Sequence, residues 1–482
     1  MEIKYGINAT PKDMGWGHYI ACCFQQILAI MAATILVPLI VTGAAAKAGQ
    51  DLVMSPAAAL LGAGMGTIVY QLFVKRKSPV FLGSSFAFLG AMSAAAGEGY
   101  GFWGLIIGVV FAGLVYVIIA TIIHFTGTAW VNKLMQPAII GATVALIGLS
   151  LSGTATSWAM YNGGDAVAAN YNLISIVCAV FTFAIIILCS TKGNKTMRLI
   201  PFIIGILGGY VLAGIFTAIG YLAKCDYLKV LDISVFTSVY GQSISYKWFV
   251  DLPALSIIEA IKQGWNLDGA AIGSIALMFA PVALVVFAEH IADHKNLSSI
   301  INKDLITDPG LTRTLLGDGV GSIVGAVFGG CANTTYGESV GCVAITGNAS
   351  SWTIIGASIG CIVLAFFTPV TVIIEGIPKC VMGGACIALY GFIAVSGLKM
   401  LQQVDLNDNR NLFVVSVILV SGIGGLIFTF GKVQITSIAA ALILGILANL
   451  ILGGFKKDAQ KQAKTVEQPT EEITVTDTEN KQ

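Results

Sequence analysis

Charge is what this chain has least of. Asp, Glu, Lys and Arg make up 11% of its 482 residues, against about 25% in soluble domains. With 26 basic and 25 acidic side chains the net charge is +1, so no basic face exists to hold nucleic acid. Histidine occurs 4 times, and the 10 cysteines contain no Cys-x-x-Cys pair and lie mostly in apolar runs. That placement fits small buried hydrophobes and argues against disulfides and metal ligands. No His-Glu-x-x-His run and no P-loop occurs, and Gly62-Ala63-Gly64-Met65-Gly66 does not fit G-x-G-x-x-G. Neither an enzyme nor a bound cofactor is therefore expected. The first seventeen residues are polar and mixed and do not read as a cleavable leader, so the first apolar run should be retained.

What fills the space is hydrophobicity. Apolar residues reach 56%, glycine numbers 56, and the mean hydropathy is +0.86. This composition is that of a polytopic membrane protein. About twenty apolar residues are needed to cross roughly 30 Å of hydrocarbon. Fourteen segments qualify, some of them broken: 18–43, 53–74, 80–96, 101–124, 131–153, 172–190, 199–223, 270–290, 314–330, 334–348, 350–373, 380–400, 410–430 and 433–454. The third and tenth are short and interrupted by Gly and Ser. Basic residues cluster at Lys75-Arg76-Lys77, Lys133, Lys192 to Arg198, Lys295 to Arg313 and Arg410, in or beside even-numbered connections, with the single lysines Lys47, Lys379 and Lys432 and the mixed-charge stretch 224–269 as exceptions. The excess of positive charge on the cytoplasmic side then predicts both termini inside. The tail 455–482, rich in Lys, Glu, Gln and Thr, is expected to be solvated and disordered.

Against this background two acids stand out. Glu289 ends the run 275–288, fourteen residues without a charge, and Glu338 lies in the Gly-rich stretch 317–362. An ionisable group at membrane depth is costly unless it meets a partner, a cavity or a substrate. Asp293, His290, His294 and Asp318 lie close by in sequence. Each also reads as an ordinary helix-end or supporting polar residue.

The chain repeats itself. Residues 60–69 (LLGAGMGTIV) and 315–324 (LLGDGVGSIV) agree at seven of ten positions, with an offset of 255. Without gaps, the same offset lays Thr34 on Glu289 and Gly83 on Glu338. More loosely, Pro137 to Gly141 resembles Pro378 to Gly383. Two halves of seven segments each must run in opposite directions through a membrane, and inverted repeats are typical of secondary transporters. The interrupted segments correspond to each other, and broken backbone at membrane depth belongs beside a cavity. Exposed amides around Gly83-Ser84-Ser85-Phe86 and Gly337-Glu338-Ser339 would favour a polar ligand group.

The motifs LGSSFAF (82–88), PAIIGATVALIGL (137–149), AEHIADH (288–294), KDLITDPGL (303–311) and NTTYGESVGCVAIT (333–346) resemble the nucleobase–ascorbate transporter (nucleobase:cation symporter-2) family. The resemblance runs from about Gln25 to Leu452 and is closest to the bacterial uracil permeases, because Glu rather than Gln stands at 338. Three positions depart from the family pattern. Gln25-Gln26 replaces Gln-His, Asp293 stands where uracil members often carry His, and Ser339 follows Glu338 in place of Asn.

The resemblance implies an all-α membrane fold of fourteen segments in two inverted seven-span repeats, with short strands in segments 3 and 10. It implies a core domain of 18–124 and 270–373, a gate domain of 131–223 and 380–454, and an extracellular loop at 224–269. It implies a plasma-membrane symporter of uracil and protons, working by alternating access and dimerising through the gate. Substrate contacts would come from Glu289, Glu338, Gly337, Phe86, Tyr336 and Ser339. Glu289 and Asp293 would carry the proton, with Gln25, Thr34, Ser85, Asp318 and His290 in support. Uracil offers two N–H donors, two carbonyls and a flat face, which a carboxylate, backbone amides and an aromatic ring complement. The competing readings are a xanthine or urate symporter of the same family, a sodium-coupled transporter, and an anion exchanger or channel on a related fold. An exchanger would place a basic residue at the broken segments, and none lies in 80–90 or 333–345.

Overall fold

The computed structural model describes residues 3–452, apart from 165–166, 168–169, 195–196, 199, 242–244 and 431–432. The expected tail at 455–482 lies outside the described residues. Each of the fourteen expected segments contains a helix, and among the described residues eight helices are long and apolar enough to cross a membrane.

The first half runs α1 (Trp16–Lys47), α2 (Pro56–Phe73), β1 (Leu82–Ser84), α3 (Leu89–Gly97), α4 (Gly101–Thr126), α5 (Pro137–Ser150), α6 (Ser152–Tyr161), α7 (Leu173–Lys192) and α8 (Pro201–Leu222). The second half runs α9 (Gly269–Ile301), α10 (Leu311–Gly329), β2 (Asn333–Thr335), α11 (Gly337–Thr346), α12 (Ser351–Ala365), α13 (Thr368–Glu375), α14 (Lys379–Leu401), α15 (Asn409–Ile423), β3 (Phe428–Phe430), β4 (Val433–Ile435) and α16 (Ser437–Ile451). Local chemistry sets the starts. Ser55 accepts from the Ala58 amide ahead of Pro56, and Asp268 caps α9 by accepting from Ala271.

The repeat is visible in the helices. Moving α2 by 255 positions gives 311–328, and α10 occupies Leu311–Gly329. The two helices pack face to face through glycine. A methyl group on Gly66 would sit 2.6 Å from the Gly321 carbonyl, and one on Gly321 would sit 2.8 Å from the Gly66 carbonyl. These two residues are repeat equivalents, so the helices meet on their own symmetry relation. A second pair, α5 and α14, closes through Gly141 and Gly397. A methyl on Gly141 would lie 3.0 Å from the Gly397 carbonyl.

The gapless offset fails at the strands. Eight residues separate α2 from β1, and three separate α10 from β2. Leu82 pairs with Thr335, Gly83 with Thr334 and Ser84 with Asn333, antiparallel. Strand equivalence therefore needs an offset of 251, and Gly83 does not correspond to Glu338. Gly83 is a strand residue facing its counterpart, whereas Glu338 belongs to the first turn of the following helix. Antiparallel pairing of equivalent strands is what a two-fold axis in the membrane plane produces.

One further expectation shifts. The segment 410–430 stops as helix at Ile423, because Gly424 and Gly425 follow and Gly425 takes a left-handed φ of 73°. The hairpin β3–β4 then replaces the expected ends of both final segments. The connection 224–269 is not featureless. It holds the helices Ser234–Tyr240 and Ser256–Gln263, and its Val250 bridges Phe367 at the joint between α12 and α13.

Candidate functional site

The two broken segments cross at the β1–β2 ladder, and the surrounding helices hold that crossing by side-chain hydrogen bonds. Thr67 of α2 receives the Leu82 amide at 2.9 Å and donates to the Leu82 carbonyl at 3.1 Å. Asn333 donates to the Gly62 carbonyl at 3.1 Å, and Ser322 of α10 donates to the Asn333 carbonyl. The Ser85 amide donates to Ala332 at 2.8 Å, and the Tyr336 amide donates to Phe81 at 3.1 Å. A two-stranded ladder alone is weak. Here it is anchored on both sides.

Two expected contact residues turn inward. Tyr336 is 3% exposed, its ring covers Gly83, and its hydroxyl donates to the Ser84 carbonyl at 2.7 Å. Thr34 of α1 donates to the Ile30 carbonyl at 2.9 Å and approaches the Tyr336 hydroxyl at 3.4 Å. Ser339 is fully buried. Its Oγ accepts from Gln26 Nε2 at 2.7 Å and from the Phe81 amide at 3.2 Å. Their side chains are buried and build the crossing. The working glutamine is Gln26, while Gln25 makes no hydrogen bond among the described residues. Adjacent glutamines point about 100° apart on a helix, and their order alone does not say which one faces in.

Gly337-Glu338-Ser339-Val340-Gly341 has the G-x-S-x-G spacing of a hydrolase nucleophile elbow. Ser339 is buried and committed to Gln26 and Phe81, with no histidine among its partners, so the spacing carries no nucleophile.

The acids remain available. Neither Glu289 nor Glu338 has a carboxylate hydrogen bond to another side chain among the described residues, and both are half-buried. Asp293 accepts from Thr335 Oγ1 at 2.8 Å, which ties it to β2. A methyl on Gly337 would lie 3.6 Å from Asp293 Oδ1, so this carboxylate borders the first turn of α11. The first amides of a helix lack intrahelical acceptors and carry its positive end. Glu289, Asp293 and Glu338 are near enough to interact electrostatically. Phe86 packs edge-on against Tyr390 of α14, with ring centres 5.5 Å apart. Ser85 is buried, and its hydroxyl has no hydrogen-bond partner among the described residues.

Behind this surface lies a second polar layer. His290 Nδ1 and Asp318 Oδ2 are 2.7 Å apart and His290 Nε2 lies 3.0 Å from Thr314 Oγ1, with all three residues fully buried. His294 stacks on His290 at 4.1 Å and meets the Tyr70 hydroxyl at 2.9 Å. His290 and Asp318 thus come together, as partners of one another and not in the ligand-facing layer. Thr335, Gln26 and Tyr390 were not legible as site residues. Only the alternation along β2 places Thr335 and Asn333 on one face.

Glu338 opens onto a cleft of about 440 Å³ between α1, α11 and the helices α7, α8 and α14. This size is ordinary for a small-molecule site. No group of three or more His, Cys, Asp or Glu among the described residues is arranged to hold a metal ion.

A family model described as "Permease family" (Xan_ur_permease) matches residues 17–431. The chain is 38% identical to the uracil permease of Bacillus caldolyticus, over 92% of this chain and 94% of that one. It is 35% identical to the uracil permease of Bacillus subtilis (strain 168), covering 97% and 98%. It is 32% identical to that of Escherichia coli (strain K12), covering 98% of each. Among solved structures, the transmembrane domain of the cyanobacterial bicarbonate transporter BicA shares the fold with a TM-score of 0.55 at 14% identity, covering 90% of this chain and 97% of that one. Murine Slc26a9 in its inward-facing state does so at 0.56 and 10%, covering 90% and 68%. The long apolar helices, the crossed strands and these relatives agree, and the chain is a multi-pass membrane protein of the permease family that its motifs resemble, the nucleobase–ascorbate transporters.

Proposed function

We propose that this protein carries uracil across the cell membrane together with a proton. The observation that carries this reading is the pair of half-buried carboxylates, Glu289 and Glu338, which take no hydrogen bond from another side chain among the described residues, beside the crossing of two broken segments. Glu338 accepts N–H groups of the base, the amides around Gly337 donate to its carbonyls, and Phe86 contacts the ring. Glu289 contacts the substrate and exchanges the proton, and Asp293, oriented by Thr335, passes it on. Tyr336, Ser339, Thr34 and Ser85 shape the crossing, and His290 with Asp318 supports α9 from behind. Relatives named uracil permease over nearly the whole chain support the substrate. The fold neighbours include a bicarbonate transporter, but an anion site would call for a basic residue in 80–90 or 333–345, and none is there.

Alternating access is part of the same reading. The core (18–124 and 270–373) bears the crossing, and the gate (131–223 and 380–454) slides against it, with 224–269 outside and both termini inside. A dimer through the gate belongs to the same reading.

The test is uptake of radiolabelled uracil into proteoliposomes under an imposed pH gradient, with xanthine as competitor. Gradient-driven uptake that is lost in Glu289→Gln, with binding partly kept, supports coupling there. Loss of binding in Glu338→Gln supports recognition. Transport of xanthine in place of uracil would overturn the substrate. Uptake that needs sodium and ignores a protonophore would overturn the proton.

A further inference from the structure

The cleft beside Glu338 has a second wall that no motif reading reaches. One wall is core: Glu338 and Gly341 of α11, with Ile345 one turn further on. Nothing lies within 4 Å of where a methyl on Gly341 would sit, so the helix backbone itself borders open space. The other wall is gate: Ser190 at the end of α7, Phe202 in the first turn of α8, and Phe392 of α14.

Three features of the gate wall suit a flat polar ring. Phe202 and Phe392 form an edge-to-face pair with centres 5.8 Å apart and planes at 89°. The pair joins α8 to α14, so both rings travel with the gate. Phe392 is 53% exposed, which leaves a ring face free in a cleft whose opposite side is a carboxylate. Ser190 lines the cleft, but its hydroxyl oxygen is turned away from solvent and has no hydrogen-bond partner among the described residues, so a rotation of its side chain is needed to bring the hydroxyl to the cleft. An unsatisfied buried hydroxyl is costly, and a carbonyl oxygen in the cleft would relieve that cost. At the rim Arg198 is held by the Gly193 and Thr191 carbonyls at 2.8 and 2.9 Å. The cleft therefore opens at the connection between α7 and α8, one of the basic connections.

We infer that this cleft is an exit-side subsite for the nucleobase, in which the gate supplies contacts of its own: the Ser190 hydroxyl to a carbonyl oxygen and the Phe202–Phe392 pair to the ring. The inference rests on the uracil reading and adds to it. The acids of the core recognise the N–H edge. The gate reads the carbonyl edge and the face, so the base is handed from one domain to the other on the way out.

The test uses Ile345→Cys as a reporter, since Ile345 lines the cleft and is 45% exposed. Among the ten native cysteines nine are buried and Cys225 is half-buried, so the parent protein sets the background. The labelling rate by a polar maleimide is measured against uracil concentration on the purified full-length protein. Uracil is expected to slow labelling. Adding Ser190→Ala should raise the half-protecting concentration about threefold to tenfold, the effect of one lost hydrogen bond. Adding Phe392→Ala should raise it about fivefold or more, as for a lost stacking face. Ser190→Thr and Phe392→Tyr should restore protection, and they carry the test if an alanine variant fails to fold. The subsite is refuted if uracil slows labelling equally in all variants. It is also refuted if uracil leaves labelling unchanged while wild-type vesicles take up uracil. Wild-type vesicles that take up no uracil would instead overturn the functional reading itself.

Discussion

The two broken segments share a backbone and differ in chemistry. β1 and β2 pair residue for residue, and α2 and α10 meet at the equivalent glycines Gly66 and Gly321. Yet the repeat partner of Glu289 is Thr34, that of Asp318 is Ala63, and the first half places no acid at its crossing. One half is scaffold and the other carries the charge. A duplicated fold can thus keep the symmetry of its packing, where each contact serves both halves, and abandon symmetry where a single asymmetric substrate must be held.

Substitutions in the two halves can break or sharpen this contrast. The largest effect is expected at Asp318, whose repeat partner is apolar. Asp318→Ala leaves His290 without its 2.7 Å partner. Leaving a buried hydrogen-bonding group without its partner costs about 1–3 kcal/mol, and the emptied space adds to that, to be read as a lowered unfolding midpoint and poor yield. Ala63→Gly in the other half should cost far less. Next come Glu338→Gln and Glu289→Gln. A hydrogen bond to a charge is worth about 1.5–3 kcal/mol, so each should lose roughly tenfold or more in uracil affinity, or all transport. Placing an acid in the first half, with Thr34→Glu on the Glu289→Gln background, should not restore uptake.

Gly66→Ala and Gly321→Ala test the symmetric side. Each methyl would press on the opposite carbonyl, and overpacking costs about 1–3 kcal/mol. The two midpoints should fall by similar amounts, and unequal shifts would show that the helix crossing is not shared evenly. The smallest effect is expected at Asp308, outside the membrane segments. The hydrogen bond from Lys77 at 2.7 Å holds its carboxyl below the usual carboxylate range. A lowered folded-state value gives stability above the unfolded value of about 3.9, lost as pH falls through the folded one. Asp308→Asn should flatten the acid end of the midpoint–pH curve slightly, because the pair is exposed and screened.

Much of the fold was legible because membranes impose simple rules. Length and hydropathy located fourteen apolar segments, each of which contains a helix, and the Gly-rich repeat located the pair of broken ones. Register was harder. A gapless offset held for α1 with α9 and for α2 with α10, then slipped by four residues at the strands, because a connection can shorten without leaving any mark in the helices it joins. Glu289 and Glu338 stood out since charge is costly at that depth. Gln26 and Ser339, Thr335 with Asp293, and the Tyr390 ring against Phe86 did not. Each depends on a partner more than forty residues away in the chain.

The sequence by itself determined the class, the segments, the duplication and the two acids, because burying apolar surface in lipid and avoiding unpaired charge act on every residue locally. Only the tertiary structure decided which polar residues face one another. It gave Tyr336 and Ser339 to the scaffold, tied Asp293 to β2, paired His290 with Asp318, and set Ser190 and two phenylalanines opposite Glu338. Hydrogen bonds and ring contacts are short-ranged, so their pattern exists only once distant segments have been brought within a few ångströms.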